Sequence, residues 1–181
     1  FKHFSFHCYT SFDFGTFFVN DSTGHKMIKD ACILNNQANQ FFQDNKFKKA
    51  IAYYKKAIEL DNQNPSFWYN LANAYLFEKD FILAKEAIEQ AFKLKSNDEA
   101  TIELYINILI QNKNLPTAKE ICEKSIILFP NSSHLWNLLG VIFFQNEQFS
   151  QAQNAFSNAL KLEPNFIEAK KNLDDTIEVM Q

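Results

Sequence analysis

The chain has 181 residues, 46% of them hydrophobic, which is enough to bury the core of an ordinary domain. Its net charge is -3, and all 18 of its cationic residues are Lys, with no Arg and no basic block. Because Arg is the usual bidentate reader of phosphate, this balance argues against nucleic acid and phosphopeptides as partners.

Residues 1–26, FKHFSFHCYTSFDFGTFFVNDSTGHK, hold seven of the twenty Phe and show no helical period. The stretch does not begin with Met, and it lacks the cationic start and continuous aliphatic run of a signal peptide. Two readings stay open. In one, Met27 is the natural start and the upstream residues are a translated leader or a fragment boundary, disordered or outside the native fold. In the other, they form an aromatic arm that folds into a groove and blocks it. His3, His7 and Cys8 make a poor metal set, being three donors on a segment without predicted structure. No cofactor and no metal are expected.

From Met27 onward the chain repeats itself. Ala50, Ala84, Ala118 and Ala152 are spaced by 34 residues, and Ala57, Ala91, Ser125 and Ala159 keep the same period. Phe47, Phe81, Leu115 and Phe149 do so as well, while Leu34, Trp68, Ile102 and Trp136 mark the front of each unit. The block 27–166 divides into units of about 31–64, 65–98, 99–132 and 133–166. Each reads as two helices. In the second unit, Trp68, Leu71, Ala72 and Tyr75 form the buried stripe of a helix from about Ser66 to Phe77. A turn at EKD leads to a second helix from about Phe81 to Lys95, and Ala72, Ala84 and Ala91 let the two approach closely. A lone hairpin of this kind cannot bury its apolar faces, so the units must stack.

At the C-terminus, residues 167–181 repeat only the first helix of a unit, with Leu173, Ile177 and Met180 as an apolar stripe. Lys170, Asp174, Asp175 and Glu178 face outward, as on a capping helix.

The pattern Trp68, Leu71-Ala72, Tyr75, Ala84, Ile88 and Ala91 resembles the tetratricopeptide repeat (TPR) signature. It recurs as Trp136, Leu139-Gly140, Phe143, Ala152, Phe156, Ala159 and Pro164. The resemblance covers residues 31–166. It implies an all-α fold, a right-handed α-solenoid of four helix-turn-helix units plus the capping helix, and a role as a protein-binding scaffold or adaptor. Gln37 departs from the pattern where Leu71, Tyr105 and Leu139 stand in later units, which suits a first repeat with nothing stacked before it.

In such a stack the first helices line the concave side. The positions turned away from the second helix include Asn35, Asn36, Asn39 and Phe42 in the first unit and Tyr69, Asn70, Asn73 and Phe77 in the second. Glu103, Leu104, Asn107 and Ile110 follow in the third, then His134, Asn137, Leu138, Val141 and Phe144 in the fourth. Asn39, Asn73 and Asn107 therefore fall in one column and Asn36 and Asn70 in another. A carboxamide both donates and accepts, so such a ladder can hold an extended peptide backbone whatever its side chains. Phe42, Tyr69, Phe77, Ile110 and Phe144 would add apolar contacts. The arrangement resembles the asparagine ladder in the TPR superhelix of O-linked N-acetylglucosamine transferases, of which only the binding part could apply here. The alternative is that the asparagines are filler on a wet helix face in an Asn-rich chain.

Other functions are less well supported. The first unit resembles that of co-chaperones that bind the acidic tails of heat-shock chaperones, but Asn35, Ala100 and Leu104 stand where the clamp cations belong. Self-assembly through exposed helix faces is a further reading. No enzyme is expected: His134 has no acid in obvious register, and Cys122 sits at a core position. Cys8, Cys32 and Cys122 are odd in number and far apart, which is no disulfide framework and fits a reduced cytoplasmic setting. No apolar run is long enough to cross a membrane.

Overall fold

A computed structural model describes residues 22–181, in which nine helices account for all the regular structure and no strand occurs. The chain divides into two compact units, one ending at Ser96 and one running from Asn97 to Gln181. The first holds α1 (Ser22–Gln43), α2 (Phe47–Leu60), α3 (Pro65–Phe77) and α4 (Phe81–Leu94). In it α1 packs on α2, α2 on α3 and α3 on α4, with a lighter contact between α1 and α3. The second holds α5 (Glu99–Gln111), α6 (Leu115–Leu128), α7 (Ser133–Gln145), α8 (Phe149–Leu162) and α9 (Ile167–Val179). There the hairpins α5–α6 and α7–α8 are joined through α6 and α7, α9 covers α8, and the first helices touch as α5 with α7 and α7 with α9.

The helix boundaries keep the period of the sequence. Second helices open at Phe47, Phe81, Leu115 and Phe149, and first helices at Pro65, Glu99, Ser133 and Ile167. The exception is α1, which begins at Ser22, ahead of Met27. The expectations for the rest of the aromatic segment, including His3, His7 and Cys8, lie outside the described residues.

The first helices α1, α3, α5 and α7 end in the same tight turn. Asn45, Lys79, Lys113 and Glu147 take φ of 58°, 61°, 57° and 59°. The next N–H then returns to a carbonyl of the last helical turn, as in Asp80 to Tyr75 at 3.0 Å and Gln148 to Phe143 at 2.9 Å. Asp80, Asp98, Asn64 and Ser132 cap the helices that follow them with side-chain oxygens. Between units, the indole N–H of Trp68 donates to the carbonyl of Asn62 at 2.9 Å, and Trp136 does the same to Pro130 at 3.4 Å. The two tryptophans therefore fasten the connecting loops as well as packing.

The core is the alanine seam. Ala50, Ala57, Ala84, Ala91, Ala118, Ala152 and Ala159 are fully buried, and Ser125 hides its hydroxyl by donating to the carbonyl of Ile121 at 2.7 Å. Leu71, Tyr105 and Leu139 are buried while Gln37 is exposed. On α9 the stripe is shifted from the expected one: Ala169 and Thr176 are fully buried, Leu173 and Ile177 only half, and Met180 is exposed. The contact on α8 runs along the small-residue edge of α9, which lets the two helices come close.

Candidate functional site

The first-helix faces sort the candidate residues into two kinds. On α1 and α3, Asn39 is fully buried, and its Oδ1 accepts a 2.7 Å hydrogen bond from the Tyr54 phenol. Burial raises the Tyr54 hydroxyl well above its ordinary pKa, so it stays a donor. Asn70, also buried, donates through Nδ2 to Oδ1 of Asn35 at 2.9 Å and ties α3 to α1. On the second unit, Asn172 of α9 donates to Oδ1 of Asn137 on α7 at 3.0 Å, and Asn137 in turn donates to Glu168 at 3.4 Å.

These bonds correct the expectation that Asn39, Asn70 and Asn137 read a ligand. A carboxamide enclosed between helices must find a partner, and here the partners are internal. The apolar set is corrected in the same way. Phe42, Tyr69 and Ile110 are buried, and Phe42 sits edge-on to Phe47 and Phe77 with ring centroids 5.2 Å apart in both pairs.

What stays accessible is a smaller set. Asn73 and Asn107 are half-buried, and neither side chain is hydrogen-bonded within the described residues. Phe77 is 37% exposed and lies one turn beyond Asn73 on α3. On α7, Leu138, Val141 and Phe144 are half-buried along one face. Asn36 is half-buried, with its Oδ1 enclosed and unpartnered.

Two features were missed by reading the sequence alone. Glu103 on α5 does stand within electrostatic reach of His134, so the histidine has an acid beside it after all. Cys32, expected unpaired, is disulfide-bonded. Cys122 is a free thiol, buried and donating to the carbonyl of Leu135 at 3.3 Å, and burial with the nearby Glu123 and Glu103 pushes it up to about 12. A thiol held protonated in this way is packing rather than a nucleophile. Among the described residues no group of His, Cys, Asp and Glu could hold a metal ion, and no helix is long and apolar enough to cross a membrane.

Hairpins of fixed length, closed by one recurring turn and bonded through their first helices, define a helical repeat protein. Residues 38–76 match the family model described as TPR repeat, and residues 65–98 and 133–166 match tetratricopeptide repeat models. The chain belongs to the tetratricopeptide repeat proteins.

Among curated relatives, serine/threonine-protein phosphatase T of Schizosaccharomyces pombe is 41% identical over 58 residues, 32% of this chain and 12% of that protein. Mitochondrial import receptor subunit TOM70 of Saccharomyces cerevisiae is 36% identical over 73 residues, 40% of this chain and again 12% of that protein. The chain thus spans about an eighth of the length of the curated relatives it matches. Among solved structures, YrrB, a TPR protein with an unusual peptide-binding site, is 20% identical with a TM-score of 0.67, over 88% of this chain and 84% of its own. A MamA double mutant from RS-1 is 18% identical with a TM-score of 0.74, over 83% and 85%. At these identities the likeness is one of fold. Tetratricopeptide repeats are generally protein–protein interaction modules.

Proposed function

We propose that this chain is an interaction module that holds a peptide segment of a partner protein against the first-helix faces of its repeats. On the first unit Asn73 supplies an amide contact beside Phe77, and on the second Asn107 supplies one, with Leu138, Val141 and Phe144 to take side chains. The observation that carries this reading is the contrast between the asparagines. Asn39, Asn70 and Asn137 are consumed by the packing, whereas Asn107 and Asn73, the latter one turn from the part-exposed Phe77, are unbonded among the described residues. An unpaired amide next to apolar surface suits a binding site. The peptide-binding site named for the YrrB neighbour supports the same use of the fold.

The test compares the full chain with an Asn73→Ala, Asn107→Ala double variant and with Phe77→Ala. Each is first shown to keep its helicity and melting temperature. Loss of a partner that the wild-type chain binds directly, as purified protein, is the expected result. Undiminished binding by all the variants would move the site to another face.

A further inference from the structure

The first helix is more enclosed than its helical neighbours account for. It has α2 and, more lightly, α3 against it, and no preceding repeat among the described residues. Yet Cys32 is 5% exposed, where Ser66, Ala100 and His134, at the same place in later first helices, are half-buried or exposed. Asn39 is fully buried where Asn73, Asn107 and Val141 are half-buried. Asn36 makes the same point with one atom. Its equivalents Asn70 and Asn172 each bond to the first helix of the preceding unit. No described helix precedes α1, but the Oδ1 of Asn36 is enclosed all the same. Cys32, Asn36 and Asn39 share one face of α1, being four and three residues apart.

Cys32 is also disulfide-bonded. The chain has three cysteines and Cys122 is a free thiol, which within one chain leaves Cys8. A disulfide holds its two α-carbons within about 7 Å of each other. Cys32 comes ten residues after Ser22, about 15 Å along the helix axis. The thirteen residues between Cys8 and Ser22 can reach up to about 45 Å, so the length suffices. The direction is what the bond dictates: the chain ahead of Ser22 has to double back along α1.

We propose that a Cys8–Cys32 disulfide ties the aromatic N-terminal segment onto the Cys32, Asn36 and Asn39 face of α1, as a redox-released cover on the groove side of the first unit. The segment has what that face lacks. Its seven Phe and Tyr9 offer apolar area to bury, and its backbone N–H groups can donate to the enclosed Oδ1 of Asn36. Release takes a dithiol reductant. The S–S bond breaks, two electrons and two protons convert Cys8 and Cys32 to thiols, and the reductant closes to its own disulfide. Of the two readings of residues 1–26, this one selects the arm. On the first unit the tied segment competes with a partner's peptide; that consequence rests on the peptide-binding reading above, whereas the tether does not.

The experiment uses the full chain purified without reductant. Tryptic digestion and mass spectrometry should find residues 3–26 joined to residues 30–46, with Cys122 the only thiol alkylated in denaturant. Hydroxyl-radical labelling then reads the cover. Labelling of Phe42, one turn beyond Asn39, should rise several-fold on reduction and again in a Cys8→Ser variant, while Phe144 at the same place in the fourth unit stays unchanged. Reduction of the wild-type chain serves as the second measurement should the variant fold poorly. A free Cys32 thiol would overturn the inference, as would a disulfide to a second copy, seen as a dimer lost on reduction. Phe42 labelling that ignores both treatments would overturn the cover, and an equal rise at Phe144 would mean general loosening and overturn it too. None of these outcomes touches the peptide-binding reading, whose own variants lie at Asn73, Asn107 and Phe77.

Discussion

A β-carbon at Gly140 on α7 would stand 2.4 Å from Cε1 of Phe156 on α8, so the glycine is what lets this ring lie in the hairpin. The equivalent pairs in the other hairpins are Ala38 with Tyr54, Ala72 with Ile88 and Ile106 with Cys122, and every member is buried. A large residue at one position is matched by a small one at the other, as close packing requires. Phe156 is the ring that Gly140 makes room for.

Gly140→Ala is therefore expected to destabilise the protein by about 1–3 kcal/mol through overpacking. The same substitution in a Phe156→Ile background, which imitates the Ala72–Ile88 pair, should cost less. Denaturant unfolding of the four proteins in the cycle measures the coupling. Equal costs in both backgrounds would show that the ring is not what excludes the methyl group.

The recurring turn makes the opposite kind of prediction. Lys79, Lys113 and Glu147 hold a left-handed conformation that is strained for a residue with a β-carbon. Replacing any one of them with Gly should stabilise the protein by about 0.5–1 kcal/mol, the relief of strain exceeding the extra chain entropy of Gly. A rise in melting temperature is the readout, and Lys79→Val should lower it.

Asn70 and Asn73 sit on one helix and should respond differently. Asn70→Ala leaves Asn35 short of a donor in a buried seam, at a cost of about 1–3 kcal/mol. Asn73→Ala removes no internal bond and should change stability by less than about 0.5 kcal/mol while weakening partner binding. Thermal unfolding and a direct binding assay, run on both variants, separate the two roles.

Cys122 predicts an alkaline limit. Its folded pKa is raised from 9.0 to about 12, so above pH 9 the unfolded chain loses this proton while the folded chain keeps it. The contribution is fully present below about pH 9 and is lost as pH rises towards 12, with a slope of about 1.4 kcal/mol per unit. Cys122→Ala should flatten that fall in a stability-against-pH series. In the same pH range the native thiol should resist an alkylating reagent that labels it readily in denaturant.

How much of this was legible beforehand depended on distance along the chain. The 34-residue period, the two helices of each unit and the alanine seam follow from the spacing of residues within a hairpin, and the helix boundaries fell at those spacings. The order of polar and apolar positions on a first helix was legible too, because it follows from 3.6 residues per turn. Which asparagines were already engaged was not. Positions such as Asn35 and Asn36 are neighbours on one helix, and only the helix from the next repeat decides whether either is enclosed. The same holds for Glu103, which stands within electrostatic reach of His134 only because a different helix brings that residue there. The sequence by itself determined the repeat, since its signals are local and each unit restates them. Tertiary structure alone decided which polar groups hold the repeats together and which stay open to a partner, because a hydrogen bond across a seam needs two side chains from separate helices to meet.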